Sequence, residues 1–367
     1  MIKVLIADDS RAFRAILRTI LGRAPDIEII GEAADGDEAV TQVMALRPDV
    51  VTMDVRMPGK DGLTAIDEIM RQRPTPIVVV SSEAGAGADK QEVSFKALGF
   101  GAVEVLGKPR ADVPGRFEKE AEEIRMAVRA VAGLQLVTRH RRPSVAARPP
   151  PGPGLPGVPA APREPLPPPG SAAAITLLPA TAPRVIGIAA STGGPAALAK
   201  IFRDLPSGYP IPILVVQHIA EGFEAGLVHW LSAETGLRVR IPDDGDALKP
   251  GVAYVAPSGV HMGASGGFVR FVPGEPVRGF KPSGTALFQS LAREYGPSAA
   301  GLVLSGMGDD GADGLKVLRD RGAWTAAQGP QSSVVFGMPR VALEKGGAAV
   351  QLELDEIAPA LVKLAKG

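Results

Sequence analysis

The chain has 367 residues, more than one average domain holds, so two domains are expected. Lysine plus arginine balance aspartate plus glutamate at 40 each, which leaves no global field to draw in nucleic acid or an anionic membrane. Cysteine is absent, which excludes disulfides, thiolate metal sites and a cysteine nucleophile, and fits a cytoplasmic protein.

Residues 1–135 alternate short apolar runs with amphipathic ones. Lys3–Ala7 predicts a strand entered straight from Met1, without a signal-peptide pattern. Asp9 or Ser10 can cap the next helix, whose apolar set Phe13, Ile16, Leu17, Ile20 and Leu21 shares one face and whose end falls near Gly22. Further strands are predicted at Ile27–Ile30, Val50–Val55, Ile77–Ser81 and Ala102–Leu106. Further helices are predicted at Asp37–Leu46, Leu63–Arg71, Lys90–Leu98 and from Pro114 to Val131. Ile77–Ser81 is almost wholly apolar and β-branched, as a central strand of a parallel sheet is. Five βα units predict an α/β fold with a doubly wound open sheet, its functional crevice at the carboxyl ends of the strands.

Residues 136–183 differ in kind. Positions 139–183 hold fourteen of the chain's 35 prolines, five arginines and one acidic residue, without periodicity, which predicts an extended solvated tether. No apolar run anywhere approaches the roughly 20 residues of a membrane span.

From 184 to 367 the alternation resumes. Strands are expected at Val185–Ala189, Ile213–Gln217, Val239–Ile241, Val252–Ala256, Phe268–Val272, Gly301–Ser305, Trp324–Ala327 and Ala348–Leu352. Helical patterns fill Ala196–Arg203, Phe223–Ala233, Ala286–Arg293, Gly311–Arg319, Arg340–Glu344 and Ile357–Ala365. A second doubly wound, mostly parallel α/β domain follows, with an antiparallel excursion near 250–275 marked by the turns Lys249-Pro-Gly and Ala264-Ser-Gly-Gly.

In the first half, Asp8 and Asp9 follow the first strand, Asp54 lies near the end of the third, Ser81 ends the fourth and Lys108 follows the fifth. Such ends share one rim. Three carboxylates that close repel unless a hard divalent cation with oxygen ligands, Mg²⁺ above all, offsets them. Asp54 is then the carboxylate that attacks a phosphoryl group, Lys108 pairs with the resulting anion, and Ser81 Oγ donates to a phosphoryl oxygen. The landmarks Asp8-Asp9-Ser10, Met53-Asp54-Val55-Arg56-Met57-Pro58, Asp61-Gly62, Ser81-Ser82 and Lys108-Pro109 resemble those of response-regulator receiver domains. The resemblance implies a flavodoxin-like fold and phosphorylation of Asp54 by a histidine kinase. It also implies Mg²⁺ held by Asp9, Asp54 and the backbone carbonyl of Arg56, with Asp8 nearby. The aromatic switch residue that many such domains carry three before the lysine is Val105 here.

In the second half, Val185–Ala189 leads into a small-residue turn, Ala190-Ser-Thr-Gly-Gly194, with Pro195 suited to a helix's first turn. By itself that turn reads equally as a phosphate cradle or a nucleophile turn, and the Gly-x-Ser-x-Gly elbow is missing. Other strand ends decide between them. His218 follows Ile213–Gln217, and Asp309-Asp310 follow Gly301–Gly308. Serine, histidine and aspartate at three ends of one parallel sheet can converge as a triad whatever their chain order. Ser191 is then the nucleophile, His218 the base and the aspartate its orienting partner, with backbone N–H groups around Thr192 and Met307 for the oxyanion. His140 lies in the tether, His229 in a helix beside Trp230 where a packed or surface role is expected, and His261 stays a candidate for a supporting or substrate-loop role.

Gly187-Ile-Ala-Ala-Ser-Thr-Gly-Gly194, Gln217-His218, Gly251-Val-Ala-Tyr-Val-Ala-Pro257, Ser305-Gly-Met-Gly-Asp-Asp-Gly311, Trp324-Thr-Ala-Ala-Gln328 and Val334-Val-Phe-Gly-Met-Pro339 resemble the chemotaxis methylesterases, the CheB family. The resemblance implies a larger, Rossmann-like hydrolytic domain. It implies hydrolysis of glutamate methyl esters on chemoreceptor helices, with deamidation of receptor glutamines as a common second activity, no cofactor for the hydrolytic step, and a monomer. It carries Ser191, His218 and Asp310 onto the triad, and Thr192 and Met307 onto the oxyanion site. One segment departs from the family. Where many members have Arg-Pro-Ser-Val-Asp, this chain has Lys281-Pro-Ser-Gly-Thr285, so an arginine and a carboxylate are lost. That predicts altered substrate fit, and it is the only feature favouring a competing reading, a phospho-switched interaction module with a slow hydrolase domain. A nucleotide site at Ser191 lacks the P-loop lysine. A receiver on a tether predicts occlusion of the hydrolytic site until Asp54 is phosphorylated.

Overall fold

Val50–Met53 and Ile77–Ser81 are buried along their whole length because helices cover both faces of the sheet they enter. A computed structural model describes residues 1–82, 88–110, 115–134 and 182–366. Strands β1 (Ile2–Ala7), β2 (Ile27–Ala33), β3 (Val50–Met53), β4 (Ile77–Ser81) and β5 (Glu104–Gly107) form a parallel sheet in the order β2-β1-β3-β4-β5. Helices α1 (Arg11–Gly22), α2 (Gly36–Leu46), α3 (Gly62–Gln72), α4 (Ala88–Phe100) and α5 (Arg116–Val131) cover it. Of the two candidate caps, Ser10 is the one used: its Oγ accepts from Phe13 N–H. The order places β1, β3, β4 and β5 side by side, so Asp8, Asp54, Ser81 and Lys108 emerge on one rim.

The second sheet has seven parallel strands in the order β14-β13-β12-β6-β7-β9-β8. These are β6 (Val185–Ala190), β7 (Ile213–Gln217), β8 (Arg238–Arg240), β9 (Val252–Val255), β12 (Ala299–Val303), β13 (Trp324–Gln328) and β14 (Val350–Leu352). Its helices are α6 (Gly194–Asp204), α7 (Glu224–Glu234), α8 (Gly284–Glu294), α9 (Ala312–Asp320), α10 (Met338–Glu344) and α11 (Leu354–Leu364). The chain leaves β6 toward β7 on one side and returns to β12 on the other. The crevice at that switch point is where the loops after β6, β7 and β12 meet. The expected antiparallel excursion is a separate hairpin of β10 (His261–Ser265) and β11 (Phe268–Val272). The sequence reading passed over β10, whose small residues Gly263 and Ala264 carry no strand periodicity; it is buried because α8 packs on it, with Ser290 Oγ accepting from Ala264 N–H.

The two sheets are joined by a packed surface. Phe95 of α4 is fully buried against Phe223 and Trp230, with ring centroids 6.3 and 6.1 Å apart, and one apolar cluster runs through both halves. His229 Nε2 pairs with Glu92 at 3.0 Å, so this histidine serves the contact between domains. No helix among the described residues is long and apolar enough to cross a membrane. His140 and nearly all of the Pro-rich tether lie outside the described residues.

Candidate active site

On the first rim, carboxylate oxygens of Asp8, Asp9 and Asp54 lie within 4.8 Å of one another, Asp8 and Asp54 buried and Asp9 exposed. Lys108 Nζ reaches Asp8 Oδ2 and Asp54 Oδ2, each at 2.6 Å. Burial holds Asp8 above the ordinary carboxylate range, against the pull of Lys108. Three converging carboxylates with one lysine leave anionic charge in a half-buried place, and an all-oxygen donor set of this kind suits a hard divalent cation. Arg56 N–H donates to Asp54 Oδ1 at 3.2 Å, which folds the loop so that the Arg56 backbone lies beside the same carboxylate. Ser81 is buried at the end of β4, and its carbonyl accepts from Lys108 N–H at 2.8 Å.

On the second rim, the loop after β6 is fixed by its neighbours. Ser191 N–H donates to Ser305 O at 3.0 Å, and Ser191 O accepts from Gly194 N–H and from the Gln217 amide at 2.7 and 2.9 Å. Gly193 sits at φ +77°, where a Cβ would also strike Val334 at 2.6 Å. Gly306 allows the loop after β12 to pass close to the Ser191 turn: a Cβ there would lie 2.8 Å from that of Ser191. His218, one residue beyond β7, donates its N–H to Ala190 O at 2.9 Å. Its ring stacks on Phe280 with centroids 4.0 Å apart and planes within 1° of parallel. Nε2 meets Asp310 Oδ2 at 2.9 Å, so Nδ1 is the nitrogen left for a serine, and it has no hydrogen-bond partner among the described residues. Ser191, Thr192, His218 and Met307 line one cavity of about 460 Å³.

Asp310 is fully buried and holds four partners. It accepts from Ser283 Oγ at 2.7 Å, Gly284 N–H at 2.7 Å, Thr285 N–H at 3.1 Å and the imidazole. Burial alone would raise its carboxyl, but the bonds from His218, Ser283 and Gly284 hold it well below the ordinary range. These backbone donors are the N-terminus of α8, where anionic charge is favoured. The departing segment therefore does something the sequence reading did not assign it. Thr285 is buried, does not line the cavity, and its Oγ1 accepts from Gly311 N–H at 2.9 Å. A carboxylate there would offer the same kind of acceptor, so replacing it leaves the support of Asp310 intact. The Thr285 half of that departure therefore gives no support to the competing binding-module reading. Lys281 does line the cavity, as does Arg278, which is engaged with Asp309 and Asp313. His261 is buried on β10 with Nε2 on Glu275 O at 3.0 Å, holding the 275 loop and not facing the cavity.

Sequence reasoning named Val105 only as a switch position and gave its neighbours no place at the hydrolytic site. Glu104, Val105, Glu122 and Glu123 from the first domain line the same cavity. Glu104 Oε2 accepts from Gly193 N–H at 3.1 Å, and its carboxyl also bonds the Thr192 hydroxyl. Burial holds the Glu123 carboxyl above the ordinary range, with Lys119 and His218 opposing the shift. The only sequence signal was the unusual acidic residue beginning an apolar strand, one before the switch position Val105.

Comparison with known proteins identifies both domains. Residues 186–361 match the model of the CheB methylesterase family, and residues 4–113 that of the response regulator receiver domain. The protein-glutamate methylesterase/protein-glutamine glutaminase 2 of Anaeromyxobacter dehalogenans is 42% identical over 370 residues, spanning 100% of this chain and 97% of that protein. The protein-glutamate methylesterase/protein-glutamine glutaminase 1 of Syntrophus aciditrophicus is 40% identical over 367 residues, spanning 100% of this chain and 99% of that protein. The crystal structure of the Thermotoga maritima CheB methylesterase catalytic domain is 33% identical and covers 50% of this chain and 100% of its own, with a TM-score of 0.48. With two such relatives matched from end to end, this chain belongs to the CheB methylesterase family.

Proposed function

We propose that this protein is a phosphorylation-activated protein-glutamate methylesterase that removes methyl groups from glutamate methyl esters on chemoreceptor helices and thereby provides adaptation in chemotaxis-like signalling. The observation that carries it is His218, held by Asp310 from behind and lining one cavity with Ser191, joined to a receiver domain. Residues 1–135 are the receiver domain, 136–183 the tether and 184–367 the hydrolytic domain. Ser191 Oγ attacks the ester carbonyl and gives its proton to His218 Nδ1. Asp310, holding Nε2–H, fixes the tautomer and stabilises the imidazolium. Backbone N–H groups of Thr192 and Met307 hold the oxyanion, each worth about 3–4 kcal/mol in a water-excluded site. Methanol leaves with the proton from His218. Water, deprotonated by the same imidazole, then hydrolyses the acyl-enzyme and frees the glutamate carboxyl. A glutamine side chain follows the same path with ammonia as the leaving group, the second activity in the relatives' names.

Asp54 accepts the phosphoryl group from a histidine kinase, with Lys108 and Ser81 contacting it. Mg²⁺, when bound by Asp9, Asp54 and the Arg56 carbonyl beside Asp8, supplies charge neutralisation for that transfer. The protein acts as a cytoplasmic monomer. Methanol release from methylated receptor, with and without an acyl-phosphate donor, tests the whole reading: the donor raises the rate, and Ser191→Ala removes it to background. Unchanged release from Ser191→Ala overturns the serine mechanism.

A further inference from the structure

One buried contact between the two domains is made by a glutamate side chain. Glu104 begins β5, is 6% exposed, and reaches across to the nucleophile turn. Its carboxyl takes the Gly193 N–H and the Thr192 hydroxyl, the donors one and two residues beyond Ser191. A glutamyl side chain is also what the esterase acts on. We propose that Glu104 is a built-in pseudosubstrate: held by the Thr192 hydroxyl and the Gly193 N–H beside Ser191, its carboxyl takes the place that the glutamyl side chain of the receptor ester takes in the open enzyme. The proposal rests on the esterase reading of Ser191 and adds to it the identity of the group that closes the site.

The surroundings of Glu104 suit a neutral acyl group. Its bonds come from the Thr192 hydroxyl and from the N–H groups of Val105 and Gly193, and no charged group contributes to holding it. Burial pushes its carboxyl up to about 7. The ionisable side chains that share the cavity are Lys119, Glu122 and Glu123 on α5, His218, and Arg278 and Lys281. A protonated carboxyl has the shape and neutrality of the ester it stands in for. Undocked, Glu104 returns toward its ordinary value near 4.5, so docking takes up a proton. A group raised in the docked state favours docking fully below 4.5, and that advantage is lost as pH rises to about 7. Above about 7 docking stays at its weaker level.

The test uses the full chain and methylated receptor, following methanol release against receptor concentration with and without an acyl-phosphate donor. An intramolecular competitor raises the apparent KM of the unphosphorylated enzyme and leaves kcat alone. The ratio of that KM to the phosphorylated one is therefore the readout. In wild type the ratio falls between pH 5 and 7, by up to about tenfold per unit for a one-proton linkage. Glu104→Ala brings the ratio down at least about fivefold, toward one. Glu104→Gln keeps an acceptor oxygen but stays neutral, so its ratio remains high and flat from pH 5 to 7. An unchanged ratio in Glu104→Ala, or a Gln variant with the wild-type slope, overturns the pseudosubstrate role. If Glu104→Ala melts below the assay temperature, the Gln profile decides alone. Failure of the esterase reading looks different: phosphorylated wild type then releases no methanol at all.

Discussion

Asp310 shows how the carboxylate that holds His218 depends on residues that carry no catalytic signature. Its carboxylate is held by Ser283, Gly284 and Thr285, and the loop that presents it is held in turn by Thr285 Oγ1 on Gly311 N–H. Thr285→Val keeps the shape and leaves that buried N–H without a partner, at a cost of about 1–3 kcal/mol. The expected result is a lower Tm and a lower kcat together. Thr285→Asp, which restores an acceptor, keeps both closer to wild type, and equal loss in the two variants would show that the acceptor is not what matters. Asp310→Asn leaves the imidazole in the wrong tautomer, and kcat falls on the order of 10⁴-fold. It also changes acid stability in a definite direction. The Asp310 carboxyl is depressed when folded, so it stabilises the protein above its ordinary value of 3.8 and that contribution is lost as pH falls below it. Urea melts of wild type should therefore lose stability on acidification more steeply than those of Asp310→Asn. Ser191 and His218 stood out because each directly follows a strand whose apolar run is plain in the sequence, and Asp310 because a Gly-rich turn follows the apolar run of β12. The work of Thr285 was not, because it exists only once the N-termini of α8 and α9 meet.

Helices and strands divide the same way. Runs such as Ile77–Ser81 and Ile213–Gln217 are apolar throughout and declare buried parallel strands directly. β10 did not, since its burial comes from α8 and not from its own pattern. α4 is the more instructive helix. Residues 90–98 read as an ordinary helix over the first sheet, yet Phe95 faces the other domain between Phe223 and Trp230. A face that looks like half of one core is the seam of two. Phe95→Ala removes a fully buried aromatic at that seam, which costs about 3–5 kcal/mol when the site cannot collapse. Because the lost contacts are between domains, unphosphorylated methanol release should rise while the phosphorylated rate changes little. A fall in both rates would place Phe95 in the receiver's own stability instead.

The whole molecule couples two rims through one strand. Lys108, just past the end of β5, contacts Asp54, while Glu104, at its start, contacts Gly193 in the other domain. Val105, between them, lines the hydrolytic cavity where many receivers carry an aromatic. A phosphoryl group on Asp54 draws on the lysine that now holds Asp8 and Asp54 together, and any resulting shift of β5 moves Glu104 directly. Phosphorylation can open the site only by as much as it disfavours the docked arrangement relative to the open one. If Glu104 is the last link, the two residues lie in series and their variants should not add. Asp54→Asn no longer responds to the acyl-phosphate donor. Glu104→Ala is active without it. The double variant should then behave as Glu104→Ala does, with the low apparent KM, donor present or absent. A double variant that reverts to the high KM of unphosphorylated wild type would mean that Asp54 governs closure by a route that bypasses β5, such as the α4 seam.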